Sequence, residues 1–351
     1  MAFHLRGRLG VAILGAAVFL GLPATLWPRI PEPEAIIDLT EHTASPVMFR
    51  GTVLDVSRAL LEDTGAPMVA RFQVDRWYRN PFGVDPAVHF TPYELQDAIN
   101  GHNCIDFKPG THWLVFATNE SGHLELVHDC SGAVRVSPLL DTAPPRTDPI
   151  SQMEADFIAG LEDEAPAARV ISVQRLGGLK LASSRPALQR VIEIGNTDEL
   201  EWAVYAALRT GDTSVLSKAR DLLRSGNSDA ARFFIPLALG RIKDESATAG
   251  LVEIADSPNE NARMSAISAL GEKIKAVKAL PVIASHLNDP DSGVRYAALN
   301  GMREITHEPA CTIPHESATT EDAVEAQIQQ MPDLVGTIRK ILANGSIVIA
   351  L

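Results

Sequence analysis

A helical pattern that recurs about every 31 residues constrains the fold of this chain more than any other feature of its sequence. In "NARMSAISALGEK" (261–273), an arginine is followed by small or apolar residues at offsets of 3, 6 and 7. The same register returns around Arg232 and Arg295, and less clearly around Glu201 and Arg169. A fixed period of this kind is typical of stacked helical hairpins, in which each unit buries its apolar face only against its neighbours. The sequence therefore predicts about five helix–turn–helix units.

The turns and the repeated cations support the same interpretation. In "NDPDSGVR", Asp289 and Asp291 precede a helix, and carboxylates are favoured at the positive end of a helix dipole. Arg232, Arg263 and Arg295 occupy one position of the repeat. We interpret this column as bonding between units rather than as an anion site.

Residues 169–303 resemble HEAT repeats of the short, alanine-rich kind also seen in phycobilisome-lyase-like proteins. The resemblance rests on R-x-x-A-x-x-A-L-G and on the spacing from Asp289 to Arg295, which is similar to the Asp-to-Arg ladder of that family. It implies an α-α solenoid over 165–345, closed by a C-terminal cap, that binds another protein along its concave face. It does not imply lyase activity.

Residues 46–140 follow a different pattern, in which apolar and polar residues alternate with period two, as in "MVARFQVDRWYR". Such alternation predicts short strands, and the glycine and proline punctuation between them predicts tight connections. About five strands in this length favour a small antiparallel barrel or sandwich. We expect Trp77, Trp113 and Phe116 to belong to its core rather than to a ligand platform.

Four motifs in this region resemble the netrin-like OB barrel that includes the tissue inhibitors of metalloproteinases, in its bacterial exported form. They are F-R-G-T-V at 49–53, D-R-W-Y-R at 75–79, the stretch 104–117, and C-S-G at 130–132. The resemblance implies an OB-type barrel with a disulfide between Cys104 and Cys130; two buried free thiols are the alternative. The N-terminal Cys-x-Cys that chelates a protease metal in the inhibitors has no counterpart here, so inhibition by that route is not expected.

The amino terminus has the layout of an export signal, because Arg6 and Arg8 precede an apolar run over 9–27. Residues 1–30 are therefore predicted to be a cleaved signal peptide or an uncleaved single-span anchor, and both alternatives stay open. Segments 31–45 and 141–164 are interpreted as linkers that flank the barrel. The chain is thus expected to be an exported, periplasmic or extracellular α+β protein of several domains: a small antiparallel OB-type barrel followed by the helical solenoid.

The net charge and the absence of catalytic motifs argue against several classes of function. A formal net charge of −13 argues against nucleic acid as a partner, because phosphates require clustered Lys and Arg. No nucleophile elbow, phosphate loop or dinucleotide fingerprint is present, so neither an enzyme nor a cofactor is predicted. Five of the ten histidines lie between residues 89 and 128, with His123, Glu125 and His128 as the best available ligand set, but no metal motif connects them.

The leading hypothesis is an exported, non-catalytic protein that binds another, unidentified protein through its helical repeats and contacts the membrane only through its N-terminal segment. One alternative is a metal-binding protein or metal-dependent enzyme that uses the histidine-rich barrel. A second alternative is an extracytoplasmic protease inhibitor that acts without the cysteine chelate. Cys311 lies in a polar insertion, where an unpaired thiol is expected.

Overall fold

The computed structural model describes residues 38–58, 68–90, 105–120, 122–127, 131–140, 142–225, 234–242, 244–273 and 277–306. They fall into two compact units, one ending at Ile254 and one beginning at Ala255. The predicted signal or anchor at 1–30 and the predicted cap after residue 306 lie outside the described residues. No helix in the described ranges is long and apolar enough to cross a membrane.

Strands β1 to β5 form a closed barrel, because β1 pairs with β2 on one edge and with β4 on the other, in the order β1-β2-β3-β5-β4. A sixth strand pairs with the same edge of β4 as β5 does. The strands are β1 (Val47–Arg58), β2 (Met68–Arg79), β3 (Ala87–Phe90), β4 (His112–Glu120), β5 (His123–Leu126) and β6 (Ala133–Arg135).

The five-stranded closed barrel confirms the predicted OB-type fold. One detail differs from the predicted antiparallel sheet, since β3 and β5 run parallel over Val88↔Leu124 and His89↔Glu125. Period-two alternation assigns each side chain to a face but carries no information on the direction of the neighbouring strand.

Aromatic side chains fill the barrel interior. Phe49 of β1 and Phe72 of β2 are buried and meet edge to face, with ring centroids 5.2 Å apart. Trp113 of β4 is buried in the same cluster, which confirms its predicted place in the barrel core. Phe116 is also buried, but outside that cluster, with its ring 5.3 Å from the ring of His42. Trp77 packs 5.0 Å from Phe49 but leaves 37% of its surface exposed, so it is only a partial core residue.

Both predicted linkers contain ordered structure, which corrects their assignment. In 31–45, a 3₁₀ turn (Leu39–His42) buries Leu39 completely. In 141–164, helix α1 (Pro149–Ala159) begins at the capping residue Asp148, whose carboxylate accepts from the Ser151 N–H at 2.7 Å. Apolar residues four apart on α1 are buried, so this short helix packs rather than links. The barrel and the first helices consequently share the unit that ends at Ile254.

The helical region consists of hairpins whose first helices stack on one another. Within the first unit α2 packs on α4, α3 on α4, and α4 on α6, and within the second unit α8 and α9 pack on α10. The helices are α2 (Pro166–Leu179), α3 (Arg185–Ile194), α4 (Thr197–Arg209), α5 (Leu216–Ser225), α6 (Ile235–Leu239), α7 (Glu245–Ala255), α8 (Glu260–Ser268), α9 (Leu280–Ser285) and α10 (Ser292–Thr306).

Small residues allow these helices to approach closely, as predicted. Ala266 of α8 and Ala269, which begins the π-helical turn after it, are fully buried. A Cβ placed on Gly271 would lie 2.1 Å from the Gly301 Cα of α10. A side chain of any size at this crossing would therefore force the two backbones apart.

Candidate interaction surface

Three arginines of the repeat column hold the turn before their own helix in the same way. Arg169 donates from Nη1 to the carbonyl oxygens of Asp163 and Glu164, at 2.7 and 3.1 Å. Arg263 and Arg295 donate to the carbonyls six and five residues before them, at 2.8 to 3.2 Å. The side chain therefore satisfies backbone acceptors of a turn that has no helical ladder of its own. Arg232 lies outside the described residues.

Two of these arginines also bind a carboxylate of the following unit. Arg263 reaches both oxygens of Asp289 through Nε and Nη2, at 2.9 and 2.8 Å. Arg169 reaches Glu199 Oε1 through the same two nitrogens, at 3.0 and 2.6 Å. The Arg263 pair is a bidentate fork, which fixes geometry as well as charge, whereas the two Arg169 nitrogens share one oxygen of Glu199. The pairs thus connect one repeat to the next.

The predicted ladder contact from Asp289 to Arg295 has a different form in the structure. Arg295 donates to the backbone oxygen of Asp289 at 2.8 Å, while both carboxylate oxygens are bound by Arg263. The sequence spacing located the right residues, but it could not show that the carboxylate serves the arginine of the preceding unit.

The Asp289 carboxylate is a buried, ionised centre. Its side chain is 4% exposed, and burial alone would raise its pKa. Hydrogen bonds from Arg263, from the Asp291 N–H and from His286 outweigh burial and lower the pKa of Asp289 to about 2. Since a carboxylate only accepts, the His286 Nδ1 that lies 3.1 Å away carries the proton of that bond.

The Arg169–Glu199 pair was missed in the sequence because Arg169 is the least regular copy of the repeat. Ser172 and Arg175 occupy the offsets at which other copies have small or apolar residues. A usable signal was the N-x-x-E sequence at the start of α4, the first helix of the following unit. There the Asn196 side chain accepts from the Glu199 N–H and also donates to Glu199 Oε1 at 2.9 Å. An acidic residue held in that first turn is placed to meet the previous arginine.

Glu201 stands in the arginine column with the opposite charge. The residue is 3% exposed, and burial together with the charge of Asp198 raises the pKa of its carboxyl group. The column is therefore not a uniform row of cations along the described repeats.

The second helices of the hairpins leave polar faces exposed to solvent. Beside α3 lies a groove of about 330 Å³ whose apolar wall includes Leu161 and Val191 and whose rim carries Arg190. Ile194, on the same groove, is 83% exposed. The exposed charged side chains of these helices are Arg190, Glu193, Lys218, Asp221, Arg224, Glu245 and Glu253. This set could meet a protein surface, which needs both apolar and charged contacts.

A buried polar cluster joins the barrel to α1 within the first unit. The Asp156 carboxylate accepts from Arg76 Nη1 at 2.7 Å, from the Tyr78 hydroxyl at 2.6 Å and from Gln152 Nε2 at 2.9 Å. Burial, followed by the Asp156 charge, raises the pKa of Tyr78 far above its usual value. Arg50 lies nearby, 5.9 Å above the Phe157 ring. Such a network fixes the angle at which α1 leaves the barrel.

The barrel histidines do not assemble a metal centre in the described part of the chain. His89 stacks on His123 at a centroid distance of 4.3 Å, and His123 Nε2 lies 3.1 Å from Glu125 Oε1. No group of three or more His, Cys, Asp or Glu that could hold a metal ion is found among the described residues. His128 and His102 lie outside them. Burial, then the charge of His123, lowers the pKa of His89.

A threonine, a histidine and an aspartate also meet on the barrel, but not as a catalytic relay. Thr52 Oγ1 lies 2.9 Å from His112 Nδ1, and Asp75 Oδ2 lies 3.8 Å from the same nitrogen. A relay from hydroxyl through imidazole to carboxylate needs two different ring nitrogens. This arrangement therefore does not activate Thr52 as a nucleophile.

The predicted disulfide partners Cys104 and Cys130, and the third cysteine Cys311, lie outside the described residues. Their pairing stays a prediction.

Comparison with known proteins identifies the repeats. A family model for HEAT repeats matches residues 220–303 and 248–324. The helical region therefore carries HEAT repeats, as the sequence predicted. No curated protein matches the chain at a significant level.

Several solved structures show a distant likeness. One is the complex of CpcE and CpcF of phycocyanin lyase from Nostoc sp. PCC7120, with 22% identity and a TM-score of 0.37 over 50% of this chain and 71% of that one. Another is an engineered protein with 16% identity and a TM-score of 0.34, over 52% and 91% of the two chains. A third is the S. pombe condensin Cnd3-Cnd2 subcomplex, with 16% identity and a TM-score of 0.40, over 58% and 30%.

Proposed function

We propose that this chain is exported and acts as a non-catalytic scaffold whose helical repeats bind another protein. The observation that carries the proposal is the two arginine–carboxylate pairs, Arg169–Glu199 and Arg263–Asp289, which join successive repeats. Because the first helices are stacked through these pairs and through small residues, the second helices are left with exposed polar faces. Stacked repeats of this kind present extended binding surfaces.

The proposal that the chain is exported rests on Arg6, Arg8 and the apolar run that follows them in the sequence. A reporter that is active only outside the cytoplasm, fused to the carboxyl terminus, should be active in the full chain and inactive when residues 1–30 are deleted. A mass measurement of the exported product distinguishes a cleaved signal from a retained anchor. Equal reporter activity in both fusions would contradict export.

The proposed binding surface can be mapped by photo-crosslinking in the cell. A crosslinking amino acid at Lys218 or Glu193, both exposed on second helices, should capture a partner, whereas the same group at Arg71 or Lys108 on the barrel should not. Crosslinks confined to the barrel positions would move the interface to that domain and contradict the proposal.

For the barrel, we propose the netrin-like kind of OB fold, with a Cys104–Cys130 disulfide. The motifs at 49–53 and 75–79 support the likeness, and both lie on strands that close the barrel. A disulfide that closes a loop of this length typically stabilises a fold by ~3 kcal/mol. A non-reducing digest should yield one linked peptide pair containing Cys104 and Cys130; a bond from Cys311 to either one would refute this assignment.

A further inference from the structure

A second groove, distinct from the one beside α3, is lined by cations from three successive repeats. Lys180 follows α2, Arg209 ends α4 and Arg241 follows α6, and together with Gly211 and Ile242 they surround a volume of about 390 Å³. Below, this is called the basic groove. All of its residues belong to the unit that ends at Ile254.

Two carboxylates, Asp38 and Asp244, stand against the three cations of the basic groove. Asp38 binds Lys180 Nζ and lies 3.8 Å from Arg209 Nη2. Asp244 caps the start of α7, where its Oδ1 accepts from the Ser246 N–H at 2.7 Å. Arg241 is exposed and has no ion-pair partner among the described residues. The groove therefore keeps an excess of positive charge on a chain whose net charge is −13.

The shape of the groove limits what can use that charge. Gly211, which lines the groove, has a φ of +77° and no side chain, and a Cβ placed there would lie 3.3 Å from Arg185 Nη2. A concave site with the buried Arg209 below and the exposed Arg241 at the rim suits a carboxylate on a narrow chain better than a flat membrane surface. Arginine is also the side chain best matched to a carboxylate, because its planar fork can donate two hydrogen bonds.

We propose that the basic groove binds an acidic peptide segment of a partner protein, with Arg241 as the principal contact. The inference rests on the proposed scaffold function and names the chemistry of the partner. It predicts binding that weakens as salt is added, because a rim cation in water is screened.

The test uses the full-length chain in a non-ionic detergent and a fluorescein-labelled hexaglutamate peptide, with binding followed by anisotropy. Arg241→Glu should weaken binding by about fivefold or more, the size expected when one exposed ion pair is replaced by a repulsion. Arg146→Glu makes the same substitution at an exposed residue before α1 that does not line the groove, and it should weaken binding less than twofold. Equal melting temperatures of the two variants establish that both are folded.

Equal loss of peptide binding in both variants would show a general charge effect and overturn the proposal. Absence of binding by the unmodified chain would do the same, as would binding only to vesicles that contain phosphatidylglycerol. If a crosslinked partner is found but Arg241→Glu retains it fully, the groove assignment fails while the scaffold function stands. If no partner is crosslinked, the scaffold function fails whatever the peptide result.

Discussion

At the scale of single residues, the repeats depend on ion pairs that are buried and geometrically fixed. The Arg263 fork leaves Asp289 ionised in a site where its side chain is only 4% exposed. Removing one charge of such a pair lowers the free energy of unfolding by more than the pair's net contribution to stability, because the remaining charge stays buried without compensation.

Asp289→Asn should therefore destabilise the protein by about 2 kcal/mol at pH 7, the amount expected from a pKa lowered from 3.8 to about 2. A group with a depressed folded pKa contributes stability above its unfolded pKa and loses it as pH falls toward its folded pKa. The difference between the two proteins should shrink from pH 4 to pH 2, as measured by urea unfolding. Asp221→Asn, with a side chain 70% exposed, is the control and should change little.

At the scale of helices and strands, a close approach of two backbones affects stability more than helix propensity does. Gly271 lies in the π-helical turn Ala269–Lys273, against Gly301 of α10, where an added Cβ would meet backbone atoms. Gly250, inside α7, has only the Arg220 side chain near it, and its nearest contact would be 3.4 Å.

The two glycines should consequently respond to alanine in opposite directions. Gly271→Ala should lower stability by about 1–3 kcal/mol through overpacking. Gly250→Ala should raise it by up to ~1 kcal/mol, because glycine inside a helix costs that much relative to alanine. Thermal melts of both variants measure this directly; a stabilised Gly271→Ala protein would mean that the helices do not cross there.

At the scale of the whole molecule, the barrel and the first repeats belong to one compact unit. The buried Asp156 accepts three hydrogen bonds at their junction, two of them from barrel residues. Loss of this acceptor should therefore affect both parts together.

Asp156→Ala should cost about 3–5 kcal/mol, since it leaves Arg76 and Tyr78 without their common partner. Trp113 in the barrel and Trp202 in α4 provide separate fluorescence signals, each isolated in a variant that lacks the other tryptophans. Both signals should shift to lower denaturant concentration by the same amount. A barrel signal that keeps its original midpoint would indicate independent folding; Glu162→Ala, on the exposed turn after α1, is the control.

Much of this protein was determined by local sequence pattern. The period of about 31 residues predicted the stacked hairpins, and the buried Ala266 and Ala269 confirm the packed small-residue face. The alternation in 46–140 predicted the barrel and its buried Trp113. These features are readable because helix and strand periodicities place side chains on faces whatever the partner is.

Only the tertiary structure decided which elements and charges meet. In the folded structure β3 and β5 run parallel, and the Asp289 carboxylate binds Arg263 rather than Arg295. The segment predicted to be a linker contains the packed helix Pro149–Ala159. The fold also gathers Lys180, Arg209 and Arg241 around one groove. The physical reason is that pairing direction, ion-pair partners and grooves depend on contacts between residues far apart in the chain, and local periodicity carries no information about which distant residue supplies the contact.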